Sequence, residues 1–510
     1  IVMSYLDMSD LDYLKLDFKH KFVYKFIMFF VSIGRFFKRI GLKIWNGIKL
    51  IGLKITELAK LIVFTFKDGS WKTRVSYLIF GFGNFTRKQW FKGALFLIFE
   101  VIFIVYMITT GGYWLSKWST LGTVRGGQVY DEVTDSYIWV AGDDSFKCLL
   151  YGLLTILFII ALIGTWVINI KQCAIMDEIE REGKKVKSNK DDLRSLVDDQ
   201  FHKTLLTLPL LGIFFFTVMP IIFMILVAFT NYDGNHDGYS NLFTWVGLDS
   251  FNSLLNFKSE SGSFAATFGE VLGWTLIWAF FATFTNYFLG MLVAMLINKK
   301  GIRFKKLWRG VLVLTIAVPQ FISLLYVSKL FADNGLVNGF ITSLGGQRVS
   351  FWGTTWIARI MIILLNIWIG IPYLMLISTG VLMNIPKDLY ESARIDGANA
   401  FQQYTKITLP YMLFVTGPYL LTQFIGNLNN FNVIYLLTGG KPDKIDGVIN
   451  GTATGETDLL ITWLYKLVTG AEPSYYTASI IGIIIFLVVS ILSLIVYNAM
   501  PSTKNEEDYS

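Results

Sequence analysis

Eight stretches of this chain are long and apolar enough to cross a bilayer, and no other property restricts its fold as strongly. They fall at approximately 91–110, 148–170, 205–229, 271–297, 311–331, 357–383, 411–437 and 476–499. Each meets the roughly 20 apolar residues that a helix needs to span the hydrocarbon core. The chain therefore reads as an all-α polytopic membrane protein with eight predicted transmembrane helices. Composition agrees: 54% of the 510 residues are hydrophobic and 16% charged, and the mean hydropathy is +0.52. That balance excludes an ordinary soluble globular domain.

A net charge of +8 would fit nucleic acid, but the basic residues sit mostly beside apolar runs, where membrane topology explains them better. Lys299, Lys300, Arg303, Lys305, Lys306 and Arg309 crowd the link between the fourth and fifth runs. The link 171–203 is also rich in Lys and Arg, although acids balance them. The links 111–147, 230–270 and 438–474 carry Asp, Glu, Gly, Asn and Trp and fewer cations. Basic loops stay on the cytoplasmic side. With eight crossings both termini are then cytoplasmic, and 230–270 is outside. Cys148 and Cys173 lie near opposite ends of one apolar run, too far apart along a helix to form a disulfide. His20, His202 and His236 form no metal-binding pattern. No HExxH, GxSxG or Walker A sequence is present, so neither a catalytic residue nor a nucleotide site is expected on this chain.

Four regions follow. Residues 1–90 form a basic N-terminal segment. Asp7, Asp10, Asp12 and Asp17 open it, and cations then recur from Lys15 to Lys67 among short apolar runs. A basic amphipathic helix in the cytoplasmic interface fits, as does one packed on other cytoplasmic parts. Within it, 71–90 reads as a short re-entrant or interfacial piece. Residues 91–204 hold two additional spans and a link. Residues 205–500 hold six spans, and 501–510 form a cytoplasmic tail. Glu100 lies inside the first span, where a charge is costly; it is either a proton relay or a paired buried carboxylate. Lys329 and Arg359 lie near span ends and can snorkel.

Between the sixth and seventh runs lies the polar stretch Glu391 to Pro410, within a loop taken as 387–410. Pro386 suits the first turn of a helix. Leu389, Ala393 and Asp396 fall near one helical face. Gly397 can end that helix in the left-handed conformation, and Ala398 to Lys406 can form a second short one before Pro410. Glu391, Ala393, Gly397, Ile407, Leu409 and Pro410 meet the pattern Glu-x-Ala-x3-Gly-x9-Ile-x-Leu-Pro. This resembles the EAA loop of ABC importer permeases, which docks on the ATPase subunit. Ser392 departs from the usual Ala. The resemblance implies an ATPase-docking role for Glu391, Ala393, Asp396 and Gly397. Without it, the loop would read as an amphipathic connection with no partner.

The informative polar residues lie inside spans. The sixth holds Asn366 to Tyr373, NIWIGIPY; the seventh holds Gln423 to Leu437, QFIGNLNNFNVIYLL. Amides in hydrocarbon need partners. Asn427 and Asn430 are three apart and so share a helix face, with Gln423 four before Asn427 on that face, and Gly370 with Pro372 can free backbone groups toward a cavity. Amides and an aromatic such as Tyr373 suit a neutral sugar; helix–helix glue is the competing role.

These segments, with TGETDLLITWLY further on, resemble the MalF-type permeases of maltose and maltodextrin ABC importers, well over 205–500 and weakly before it. The resemblance implies that 205–500 is a type I importer core. It implies sugar contacts at Asn366, Ile369, Gly370, Tyr373, Gln423, Gly426, Asn427 and Asn430. Gln423 replaces a Ser and Gly426 a Phe of the family pattern, which leaves the exact sugar open. It implies a second, MalG-like permease, two ATPases carrying ATP and Mg, an extracellular sugar-binding protein and surrounding lipid as partners. The outer link 230–270 is too short for the large extra domain of Gram-negative members, which suits a Gram-positive-type plasma membrane. A proton-driven carrier using Glu100 would need internal repeats, and no clear repeat is present.

Overall fold

The computed structural model describes residues 17–186, 188–237, 241–255, 264–299, 301–449 and 452–499. The acidic start from Asp7 to Asp12, Lys300 and the tail 501–510 lie outside them. The chain divides into two compact units, the first ending at Phe223 and the second beginning at Met224.

The first unit opens with α1, Phe18–Asp68, a single helix of 51 residues. Asp17 caps it by accepting from the His20 N–H at 3.0 Å. At about 1.5 Å per residue it is far longer than a bilayer crossing. Its Trp45, Ile48, Ile51 and Ile55 are exposed. The stretch 71–90 packs against α3, Ser145–Arg181. Asn169 of α3 accepts from the Gly81 N–H at 3.1 Å and donates to the Ser76 carbonyl at 2.9 Å. Arg87 pairs with Asp177 of α3, and both are buried. The helix α2, Trp90–Lys117, carries Glu100, whose Oε2 accepts from the Phe80 N–H at 2.8 Å. The donor lies in a turn, and Glu100 itself is half-buried. Strands β1, Gly127–Asp131, and β2, Ser136–Val140, form an antiparallel hairpin between α2 and α3. Cys148 and Cys173 are buried, free and both in α3. The helix α4, Phe201–Val227, leads into the second unit.

The second unit is built around α5, Phe264–Asn298. In the most apolar stretch of α5, 44% is buried, against 6% in α2 and α4. Thus α5 is the interior helix, and the other two leave their apolar sides uncovered. Alongside it runs α8, Thr355–Leu382. A Cβ on Gly290 of α5 would lie 2.7 Å from the Leu374 Cβ of α8, so only glycine allows this approach. Between them come α6, Lys305–Ala317, and α7, Gln320–Leu330. After α8 come α9, Lys387–Ile395, α10, Leu409–Leu428, and α11, Phe431–Leu437. The hairpin of β3, Asp443–Ile449, and β4, Thr452–Gly455, then leads to α12, Leu460–Thr469, and α13, Tyr475–Ala499.

Among the described residues, six helices are long and apolar enough to cross a membrane, or seven if a bent pair counts as one. The eight transmembrane helices expected from the sequence are therefore not confirmed as a count. The run 311–331 is the bent pair: α6 and α7 meet at 86°. Pro319 sits at the break and begins α7, because proline cannot donate inside a helix and restricts the residue before it. The run 411–437 is also broken. Its first part, α10, is less apolar because it contains Pro410, Pro418, Gln423 and Asn427. It ends at Leu428, and Asn430 caps α11 by accepting from the Val433 N–H at 3.3 Å. Asn427 and Asn430 thus do not share one continuous helix. Asn side chains compete for backbone groups, which favours a cap here over helix continuation.

Arg359 is held by protein groups. Its guanidinium donates to the Glu456 carbonyl at 2.7 Å, pairs with the Glu456 carboxylate at 3.2 Å and lies 4.7 Å from the Trp274 ring centre. It ties α8 to α5 and to the turn after β4.

Candidate functional site

Halfway along α5 and α8 a cavity of about 170 Å³ opens against α10. Apolar clusters close it lengthwise. On one side lie Trp274, Trp278, Ile362 and Leu428; on the other lie Tyr287, Met291, Leu374 and Met412. Into this apolar frame the helices direct an unusual number of polar groups. From α5 come Thr283 and Asn286. From α8 come Asn366, Gly370 and Tyr373. From α10 come Tyr419, Gln423 and Asn427, and Gln320 and Asn430 complete the set.

Seven of the eight residues expected to contact sugar line this cavity: Asn366, Ile369, Gly370, Tyr373, Gln423, Asn427 and Asn430. Gly426 is not among its lining residues. Sequence reasoning missed Thr283, Asn286, Gln320 and Tyr419. Asn286 left a signal, being the one amide in the span 271–297. Gln320 had the adjacent Pro319, but a break in the fifth run was not foreseen.

The polar groups fall into two sets. One set is bonded within the protein. Asn427 Nδ2 donates to Thr283 Oγ1 at 3.0 Å, and Asn430 Nδ2 donates to Asn427 Oδ1 at 3.3 Å. Trp278 Nε1 donates to the Asn427 carbonyl at 3.1 Å. These bonds satisfy the backbone and side chains where α10 ends. In the other set, Asn286 Oδ1, Asn366 Nδ2 and Tyr419 Oη find no protein partner. Asn286 is 5% exposed and Asn366 6%. Each unsatisfied buried polar group costs about 1–3 kcal/mol, so three around one cavity mark a place prepared for a polar occupant. The cavity is smaller than the roughly 300–1,000 Å³ usual for a ligand pocket.

The 391 loop lies elsewhere and has a different character. Pro386 precedes α9 as its cap rather than occupying its first turn. Gly397 adopts φ +77°. Its N–H donates to the Arg394 carbonyl at 3.1 Å, and the Ala398 N–H donates to the Ala393 carbonyl at 2.8 Å. This is the paired arrangement in which a left-handed residue closes a helix. Asn399 and Gln402 then exchange side-chain-to-backbone bonds of 2.8 Å each, a capping box that starts the next helix. That helix is not the separate short one expected. Ala400–Gln403 passes through a π turn, Tyr404–Thr408, directly into α10. The wider turn sits just before Pro410, where regular α-helix would bring the proline ring against a carbonyl four residues back. A second π turn, Phe214–Val218, precedes Pro220 in the same way. Tyr390 Oη lies 2.8 Å from Thr408 Oγ1 and fastens α9 to this turn. Glu391, Asp396 and Gly397 are exposed and Ala393 is half-buried.

Comparisons with known proteins agree with this architecture. The family described as binding-protein-dependent transport system inner membrane component matches residues 286–502. The maltodextrin transport system permease MalC of Streptococcus pneumoniae is 32% identical over 86% of this chain and 97% of that protein. The galactooligosaccharides permease GanP of Bacillus subtilis is 32% identical over 84% of this chain and 97% of its own. The maltose/maltodextrin permease MalF of Escherichia coli is 36% identical over 45% of this chain and 44% of its own. A bacterial ABC transporter involved in alginate import aligns over 60% of this chain and 97% of that one, at 24% identity and a TM-score of 0.48; that likeness carries no further argument. This multi-pass membrane protein belongs to the binding-protein-dependent ABC transport family of inner membrane components and stands among its sugar permeases.

Proposed function

We propose that this chain is the permease subunit of a bacterial ABC importer for malto-oligosaccharides. The observation that carries the reading is the cavity at mid-helix depth, where amides with unspent hydrogen-bonding capacity stand beside aromatic rings. Amides both donate to and accept from hydroxyls, and ring faces pack on the apolar side of a pyranose. The sugar contacts are Asn366, Ile369, Gly370, Tyr373, Gln423, Asn427 and Asn430. A second permease supplies the facing wall, and an extracellular binding protein delivers the sugar. Two ATPase subunits hold ATP and Mg, and the loop with Glu391, Ala393, Asp396 and Gly397 docks on one of them. Closure of the ATPases moves α9, and through Tyr390 and the π turn moves α10, which lines the cavity. In this reading the basic link 298–310 is cytoplasmic, as are both termini. The bent pair and α10 then each make a passage besides the six long helices. The short outer link suits a Gram-positive-type envelope.

Import of a different oligosaccharide is the competing reading. It is favoured by Gln423 and Gly426, which depart from the maltose pattern, and by similarity to a galactooligosaccharides permease. Uptake of labelled maltotriose, maltose, a galacto-oligosaccharide and sucrose by vesicles holding the whole complex decides between them. The malto-oligosaccharides are expected to be taken up at least about tenfold faster. A tenfold ratio is worth about 1.4 kcal/mol, within what one or two hydroxyl contacts supply. Preference for the galacto-oligosaccharide would overturn the assignment.

A further inference from the structure

We propose that Asn286, on α5, is a specificity-determining residue whose Oδ1 accepts a hydrogen bond from a pyranose hydroxyl, and that Gly370 is glycine in order to seat it. The inference rests on the sugar-permease reading above and adds a residue and a direction of hydrogen bonding to it.

Three observations converge. First, Asn286 Nδ2 donates to the Asn366 backbone carbonyl at 3.4 Å. A carbonyl can only accept, which fixes the amide orientation and turns Oδ1 into the free end. That Oδ1 is buried and finds no protein partner, and Asn286 is among the residues that line the cavity. Second, the neighbouring Asn366 Nδ2 is an unspent donor in the same cavity, and Tyr419 Oη an unspent hydroxyl. An acceptor beside a donor matches adjacent ring hydroxyls, each of which donates one bond and accepts another. An apolar ligand would leave both unmatched, and a purely anionic one would leave the acceptor unmatched. Third, a Cβ on residue 370 would lie 2.3 Å from Asn286 Nδ2 and 2.7 Å from its Cγ. The Asn286 amide lies on the bare backbone of α8, so any side chain at 370 would expel it from its place. Gly370, a sugar contact in the reading above, also acts on the sugar through Asn286.

The test uses the complete transporter in vesicles, with maltose and its monodeoxy analogues as probes. Uptake is read as kcat/KM for each. In the wild type, removal of the hydroxyl that meets Asn286 is expected to cut uptake about tenfold. In Asn286→Ala that analogue should be taken up as well as maltose, while discrimination against the other analogues persists. Gly370→Ala should lose the same discrimination, because it displaces the same amide. If Asn286→Ala does not assemble, Asn286→Ser, which keeps a small polar group but is too short to reach the place of Oδ1, is read in its place. A merely structural Asn286 would lower uptake of all probes by one factor and leave every ratio unchanged, which would overturn the inference. A wild type that takes up neither maltose nor its analogues would instead overturn the substrate reading itself.

Discussion

The cavity and the 391 loop break the usual rule of burial in opposite directions. Inside the bundle, where apolar groups belong, Asn286 and Asn366 are nearly fully buried with polar atoms left unpaired. On the loop, where polar groups belong, Ile395 is 87% exposed and Phe401 73%. Isolated exposed apolar residues are ordinary. Here two large ones flank a turn held by Gly397, a capping box and the Tyr390–Thr408 bond. A rigid loop presenting apolar anchors fits a protein groove, and a buried wall presenting spare amides fits a hydroxylated ligand. The two regions differ in chemistry, and they should fail independently.

The largest expected effect is at the loop. Ile395→Asp combined with Phe401→Asp should remove the ATPase subunits from the purified complex and cut binding-protein-stimulated ATP hydrolysis more than tenfold. Buried anchors at interfaces contribute about 2 kcal/mol or more each. Because both side chains are exposed on this chain, its own thermal unfolding should shift little. Retention of the ATPases in the double variant would break the comparison at the loop.

A smaller effect separates the two kinds of amide within the cavity. Asn427 is bonded to Thr283 and Asn430, whereas Asn366 Nδ2 is not bonded at all. Asn427→Ala leaves partners unsatisfied and should lower stability by about 1–3 kcal/mol, read as a lower midpoint in thermal unfolding of the detergent-solubilised complex. Equal stability of wild type and Asn427→Ala would show that the two sets of amides do not differ as described.

Much of this was legible in the sequence where the chemistry is local. The loop motif, the glycine stop at Gly397 and six of the eight long apolar runs depend on neighbours a few residues apart, and the structure keeps them. The amides of the sixth and seventh runs stood out because polar groups in hydrocarbon are conspicuous. Properties that depend on several helices at once were not legible. The break before Asn430 places it beside Asn427 by a cap rather than by helical periodicity. Pro319 bends one run through a right angle, and its signal was masked by the apolar residues around it. Asn286 gained its meaning only when α8 brought Gly370 against it. Arg359 looked like a cation at a span end until the turn after β4 supplied Glu456. Which amide is spent and which is spare is a property of the packed bundle, and both look alike as letters.

The most direct test of the account is Asn366→Ala, measured for sugar uptake and for binding-protein-stimulated ATP hydrolysis on the same vesicles. Its Nδ2 makes no bond within the protein, so the bundle loses no side-chain hydrogen bond, while the sugar loses a donor. The account predicts uptake about tenfold lower, the equivalent of about 1.4 kcal/mol, with stimulated hydrolysis retained because the loop is untouched. Wild-type uptake, or loss of uptake and hydrolysis in equal measure, would contradict it.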